Sequence, residues 1–276
     1  MYFCLNRVTA GGKLPLEEFC RVAADAGFQG ADVDLGYGAT HGADALRELY
    51  RSKKLRFGGW NPGDWRDDAA KAGEGLGKLG EYAKIAHELG IDSCATWISP
   101  SSDRPFMENW NFHVERLRPI ARVLHDFGLR LGLEFVAPYH LRRRAKHEFI
   151  FTPGQVLELG DAIGPNCGLL VDSYHCYTSG TTWEHLAQIP GEKIVLVHIN
   201  DAPALPLAEV KDGERLLPGK GVIELPKFIG ALKKAGYKGP ASVEVFSAEL
   251  KGMPAAEAAK KAWEATKGLV PLLDRA

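Results

Sequence analysis

The chain has 276 residues, 45% of them hydrophobic and 25% charged, with a formal net charge of −1. So even a balance gives no broad field for a polyanion, which argues against a nucleic-acid partner, and no stretch approaches the roughly 20 apolar residues of a membrane span. The opening residues MYFCLNRVTAGGK lack a basic segment and a long apolar run, and the five cysteines include no CxxC; a cytoplasmic protein with free buried thiols is expected.

In chain order, an apolar strand over 2–6 comes first. A helix follows and stops at Gly27 in AADAGFQGADVDL, where strand formers take over. Helix 43–53, strand 55–60 and helix 66–89 come next. AHELGIDSCATWI repeats the phrase of helix, glycine and strand at Gly90; after helix 108–127, LHDFGLRLGLEFV repeats it at Gly128. Strands 167–172 and 193–200 precede helix 224–235, then LKKAGYKGPASVEVF gives the fourth such joint at Gly236, and a helix over 254–274 follows. Each of these glycines stands where a helix needs a left-handed residue to stop. Eight strands alternating with helices imply a parallel sheet, and eight units in this length favour closure. The expected fold is α/β, a single (β/α)8 TIM barrel forming one domain over 1–276. No Gly-rich dinucleotide fingerprint follows the first strand, which disfavours an open doubly wound sheet.

In such a barrel alternate strand residues face the interior. With Leu131, Leu133 and Phe135 turned to the helices, Glu134 points inward beside Gly132. By the same count Asp172 shares the inner face with Leu170. Val195, Val197 and Ile199 read as outward, leaving His198 inward with Leu196 and Asn200. Val243 and Val245 leave Glu244 inside. Four successive strands thus each carry one inward polar residue near the C-terminal end, where barrel enzymes build their sites. Three carboxylates at short range raise one another's pKa unless a cation joins them. One divalent metal ion bound by Glu134, Asp172, His198 and Glu244 resolves that conflict. Three oxygen ligands and one nitrogen suit Mn²⁺, Mg²⁺, Co²⁺ or Zn²⁺, and the absence of thiolate disfavours a structural zinc site.

These residues resemble the sugar isomerase and epimerase barrels related to xylose isomerase, over nearly the whole chain and most strongly from 129 to 246. Within that family the likeness is to the inosose isomerases, carried by FCLNRVT, LEFV, GLLVDSYH, VHINDAP, RLLPGKGVIEL and SVEVF. The resemblance implies the same four metal ligands and substrate contacts from His175 and Arg215. It further implies a keto-sugar or inosose substrate. Glu134 and Glu244 are then the catalytic pair, one removing a proton beside a ketone and one returning it through an enediolate held by the metal. Trp60 and Trp97, at the ends of the third and fourth strands, read either as an aromatic wall for a sugar ring or as packing beneath the loops.

Other readings share parts of this pattern. A lyase like the catalytic subunit of C-glycoside deglycosidases, acting on 3-oxo-glycosides, uses the same metal chemistry and is told apart by release of an aglycone. A non-catalytic sugar-binding barrel has no need of a costly carboxylate cluster, and a metal assay separates it. An apurinic endonuclease calls for further histidines at early strand ends and a basic face. The run HLRRRAKHE, with Arg142, Arg143, Arg144 and Lys146, follows the Glu134 strand closely enough to fold over the barrel mouth. A homo-oligomer is compatible with the sequence, which does not specify one.

Overall fold

The computed structural model describes residues 1–10, 12–66 and 69–274. Eight strands form its main sheet: β1 (Tyr2–Leu5), β2 (Gly30–Ala31), β3 (Arg56–Phe57), β4 (Cys94–Ile98), β5 (Leu131–Phe135), β6 (Cys167–Asp172), β7 (Ile194–Ile199) and β8 (Pro240–Val243). They run in the order β3-β2-β1-β8-β7-β6-β5-β4, with every pairing parallel. A parallel bridge between Trp60 and Cys94, in which the Ala95 N–H donates to the Trp60 carbonyl at 2.9 Å, brings the two edges together. The alternation of strand and helix therefore yields the expected curled parallel sheet.

The four helix-to-strand joints are built as the glycines require. Gly27, Gly90, Gly128 and Gly236 have φ of 107°, 68°, 70° and 86°. Helices Leu16–Ala26, Ala43–Ser52, Phe106–Asp126 and Leu225–Lys234 lie close to their expected spans. The helix expected over 66–89 is seen as Ala69–Leu89, with 67 and 68 outside the described residues. That expected over 254–274 divides into Ala255–Thr266, a 3-10 turn at Lys267–Leu269 and Val270–Asp274. Pro271 explains the break, since it has no N–H and its ring crowds the carbonyl four residues back, at Lys267.

Most of the apolar core lies between strands and helices, where Leu131, Leu133, Phe135, Leu169, Val171, Val197 and Ile199 all pack. A second, small cluster of Ala95, Leu170 and Leu196 fills the barrel interior. Val195 departs from the expected outward set. The β6–β7 register shifts between Leu169 and Leu170, which pair with Ile194 and Leu196 and leave Val195 unpaired as a bulge. Val195 turns toward Gly132 and Gly168 instead; a Cβ on either glycine would stand 3.0 or 3.1 Å from its side chain. Loops on the C-terminal side carry short elements that periodicity did not announce. These include helices Leu35–His41 and Tyr139–Arg142 and an antiparallel ribbon joining Ser101–Ser102 to His147–Glu148. Among the described residues no helix is long and apolar enough to cross a membrane.

Candidate active site

The inner faces of β5 to β8 converge. Glu134 sits on β5, Asp172 ends β6, His198 lies on β7 and Glu244 directly follows β8. One ligand atom from each lies within 4.8 Å of the others, and all four side chains are buried. His198 Nδ1 is 3.0 Å from Glu244 Oε2, 3.7 Å from Glu134 Oε1 and 3.9 Å from Asp172 Oδ2. Glu134 Oε1 and His198 Nδ1 are buried and find no hydrogen-bond partner of good geometry among the described residues. Leaving such atoms unpaired costs about 1–3 kcal/mol each. Two stranded electron-pair donors facing each other within a ring of carboxylates fit a divalent metal ion.

The charges divide unevenly across the cluster. Burial pushes the Asp172 carboxyl up, but the Arg215 guanidinium, with His175 and His198, outweighs it and holds the group at about 2. At Glu244 burial again opposes ionisation, and His198 and Arg215 again win, keeping it below the ordinary range. Glu134 lies above that range because burial there is only partly offset by His198 and His175. Burial favours a neutral His198, yet Glu244 and Glu134 hold a proton on it well above its usual value. A metal ion bound here would take the place of that proton.

A polar shell fixes the ligands. The Asn200 amide donates to Asp172 Oδ1 and Oδ2 at 3.0 and 3.2 Å and to the Glu244 carbonyl at 3.1 Å. Ser173 Oγ donates to Asn200 at 3.0 Å, and the Tyr174 N–H caps Asp172 Oδ1 at 2.7 Å. Asn6 donates to Glu244 Oε1 at 3.4 Å. Arg215 is 3% exposed and committed to carboxylates: it donates to Asp172 at 2.7 Å, Asp212 at 2.8 Å and Glu244 at 3.1 Å. His175 is fully enclosed, with Nδ1 3.5 Å from the Ala137 N–H and Nε2 3.2 Å from Arg215 and 3.8 Å from Glu134. A neutral ring accepts at only one nitrogen, so these two contacts exclude each other.

Two cavities open onto the cluster. The larger, about 450 Å³, has Asn6, Trp60, Arg66, Trp97, Glu134 and His198 among its walls. The smaller, about 240 Å³, is bordered by Trp97, Glu134, Arg144, His175 and Arg215. Trp60 and Trp97 are thus both at the site, Trp60 buried and Trp97 42% exposed. Asp34 caps helix Leu35–His41, and His41 at the end of that helix stacks on Tyr37; neither belongs to the four-residue group. Cys176 is buried in helix Ser173–Ser179 outside the ligand group. In the basic run, Arg142 reaches from helix Tyr139–Arg142 to pair with Glu148 of the ribbon at 2.9 Å, and Arg144 reaches the smaller cavity.

Sequence reasoning placed Asn200 on the inner face without a role, although its alternation with His198 was the available signal. It passed over Arg66, whose position depends on Thr96 and Trp97, some thirty residues away.

Known proteins carry related sequences and folds. Over 158 residues the chain is 32% identical to inosose isomerase of Bacillus velezensis, covering 57% of this chain and 54% of the relative, so the match spans about half the length of that protein. It is 28% identical to 3-dehydroshikimate dehydratase of Pseudomonas aeruginosa across 90% of this chain and 38% of the relative. A solved xylose isomerase domain protein from Alicyclobacillus acidocaldarius superposes over the full length of both chains with a TM-score of 0.88 and 31% identity. The Xylose isomerase-like TIM barrel model matches residues 20–269, and the chain belongs to that family.

Proposed function

We propose that this protein is a divalent-metal-dependent isomerase or epimerase that moves a proton at a carbon beside a ketone in a small polyhydroxylated substrate. The observation that carries this reading is the buried group of Glu134, Asp172, His198 and Glu244, with unpaired Glu134 Oε1 and His198 Nδ1, at the base of a cavity of about 450 Å³. These four residues would hold the ion. When bound, it supplies a Lewis acid that polarises oxygens and stabilises developing negative charge.

Glu134 and Glu244 hang from β5 and β8, which are separated by β6 and β7, and both border the two cavities. A substrate between them meets a carboxylate on each side. One accepts the proton from carbon and the other returns it to the neighbouring carbon or the opposite face. Asn200 and Arg215 hold Asp172 and Glu244 in place while this happens, and the His175 ring lies within reach of a substrate oxygen near Glu134. An inosose substrate fits the name of the Bacillus velezensis relative, and the four residues by themselves do not choose among small keto-sugars.

A second reading is a dehydratase, favoured by the match to 3-dehydroshikimate dehydratase across 90% of this chain. The first step is the same proton removal beside the ketone. A carbon–carbon double bond then forms as the hydroxyl on the next carbon leaves with a proton as water.

Elemental analysis of dialysed protein, followed by NMR of substrate in deuterated solvent, tests the proposal. One ion per chain and solvent deuterium at the carbon beside the carbonyl are expected. A shifted ketone marks an isomerase, an inverted centre an epimerase and a new double bond a dehydratase. Full turnover after exhaustive chelation, or turnover without exchange, refutes the proton-transfer reading.

A further inference from the structure

Arg66 stands in the wall of the larger cavity, in the loop between β3 and the helix Ala69–Leu89. Its guanidinium carbon lies 4.2 Å over the Trp65 ring and 3.8 Å over the Trp97 ring. Nη2 donates to Thr96 Oγ1 at 3.0 Å and to the Trp97 carbonyl, both neutral acceptors. Among the described residues no carboxylate is within ion-pair distance of it. Burial pulls its pKa down to about 10, with Asp64 and Glu134 only partly offsetting this at longer range. A half-buried guanidinium that stacks on two indoles and, among the described residues, hydrogen-bonds only to neutral acceptors is suited to receive an anion.

Its surroundings are of the same kind. Among the described residues, Trp60 Nε1 is buried without an acceptor, and so is Nη1 of Arg7, which lines the same cavity. Trp97 pairs with Glu134 in the β4–β5 register. Arg66 and Glu134 line the same cavity, and the Glu134 charge acts on Arg66 through space, so a substrate in that cavity meets both. The fork is planar, which suits a planar carboxylate bound edge to edge.

We propose that Arg66 is the anion-binding residue of this cavity and that the substrate is a polyhydroxylated ketone bearing a carboxylate. Arg66 grips the carboxylate while the carbons beside the ketone lie between Glu134 and Glu244; this assignment rests on the proton-transfer reading above. Two other arginines are alternatives: Arg7 shares the cavity but spends Nη2 on the Leu14 carbonyl and stacks on Phe19, and Arg144 is exposed beside the smaller cavity.

The test is calorimetric binding to metal-loaded protein of matched pairs: D-fructuronate against D-fructose, and 3-dehydroshikimate against its methyl ester. Hydrogen bonds to a charged group imply that the acid of at least one pair binds about 10–100-fold tighter than its neutral partner. Arg66→Gln removes that gap, Arg66→Lys retains part of it and Arg144→Gln leaves it intact. Rising salt narrows it in the wild type. Equal binding of acid and neutral partner, or a gap that survives Arg66→Gln in a protein with wild-type circular dichroism, overturns the assignment. Metal content measured on the same samples separates the two levels of inference. A loaded protein without acid preference refutes the role of Arg66 alone, and a protein that takes up no metal refutes the reading beneath it.

Discussion

Replacing Asp32 by asparagine is expected to stabilise the fold, and to do so increasingly as pH rises. Asp32 follows β2 at the wall of the larger cavity and is 8% exposed. Burial raises its pKa from 3.8 to about 6, against the lowering effects of Ser242, His198 and the Gly59 N–H. A carboxyl whose folded pKa is raised favours the protonated form in the native state. At the lowest pH both states are protonated and nothing is lost. Between 3.8 and 6 the unfolded chain ionises first, so stability falls as pH rises, and above 6 the loss is complete. At 1.36 kcal/mol per unit, the loss is about 1 kcal/mol near pH 4.5 and about 3 kcal/mol near pH 8. Ser242 Oγ and the Gly59 N–H both donate to Oδ1, at 2.6 and 3.1 Å, so a carboxamide oxygen there keeps both bonds. Any packing change common to both conditions cancels in the difference. Urea midpoints of wild type and Asp32→Asn in chelator, at both pH values, should therefore differ by about 2 kcal/mol more at pH 8 than at pH 4.5. The same difference at both pH values, or a larger benefit in acid, refutes the reasoning.

Glu134→Gln and Glu244→Gln should each lower solvent-deuterium exchange about 10²–10⁴-fold, read by NMR beside metal analysis of the same samples. Metal affinity should weaken as pH falls, because the proton that Glu244 and Glu134 hold on His198 competes with the ion; chelator competition from pH 8 to 6 measures it. Asn200→Ala removes the amide bonds to Asp172 and Glu244 and should cost about 10–100-fold in metal affinity, measured in the same competition. Gly168→Ala should destabilise by about 1–3 kcal/mol in thermal or urea melts, since the new methyl meets the Lys193 carbonyl oxygen inside van der Waals contact.

The joints and the inner face were legible because they rest on local rules. Glycine at a helix stop needs no tertiary information, and strict alternation along β5, β6 and β8 carried Glu134, Asp172 and Glu244 to one face. The same rule misplaced Val195, because a bulge changes the count without altering the residue pattern. Helix Leu35–His41 was hidden by two glycines within LGYGATH, and the ribbon at Ser101–Ser102 and His147–Glu148 by strands of two residues. The resemblance alone pointed to Arg215, as a substrate contact, whereas its engagement with three carboxylates depends on how the loop after β7 folds back. Arg66 reads as one more charge in GDWRDD until the chain brings Trp97 against it.

The strands differ in length around the ring, and this gives the barrel a fixed side and an exchangeable one. β6 and β7 have six residues each, and the ladders of β5 to β8 set Glu134, Asp172, His198 and Glu244 in register. β2 and β3 have two residues each, and the chain that follows them supplies Asp32, Trp60 and Arg66 to the opposite wall. Replacements on that wall leave the ligand register untouched. Descent with change in this architecture can therefore reshape the cavity wall while the buried carboxylate and imidazole group stays where it is.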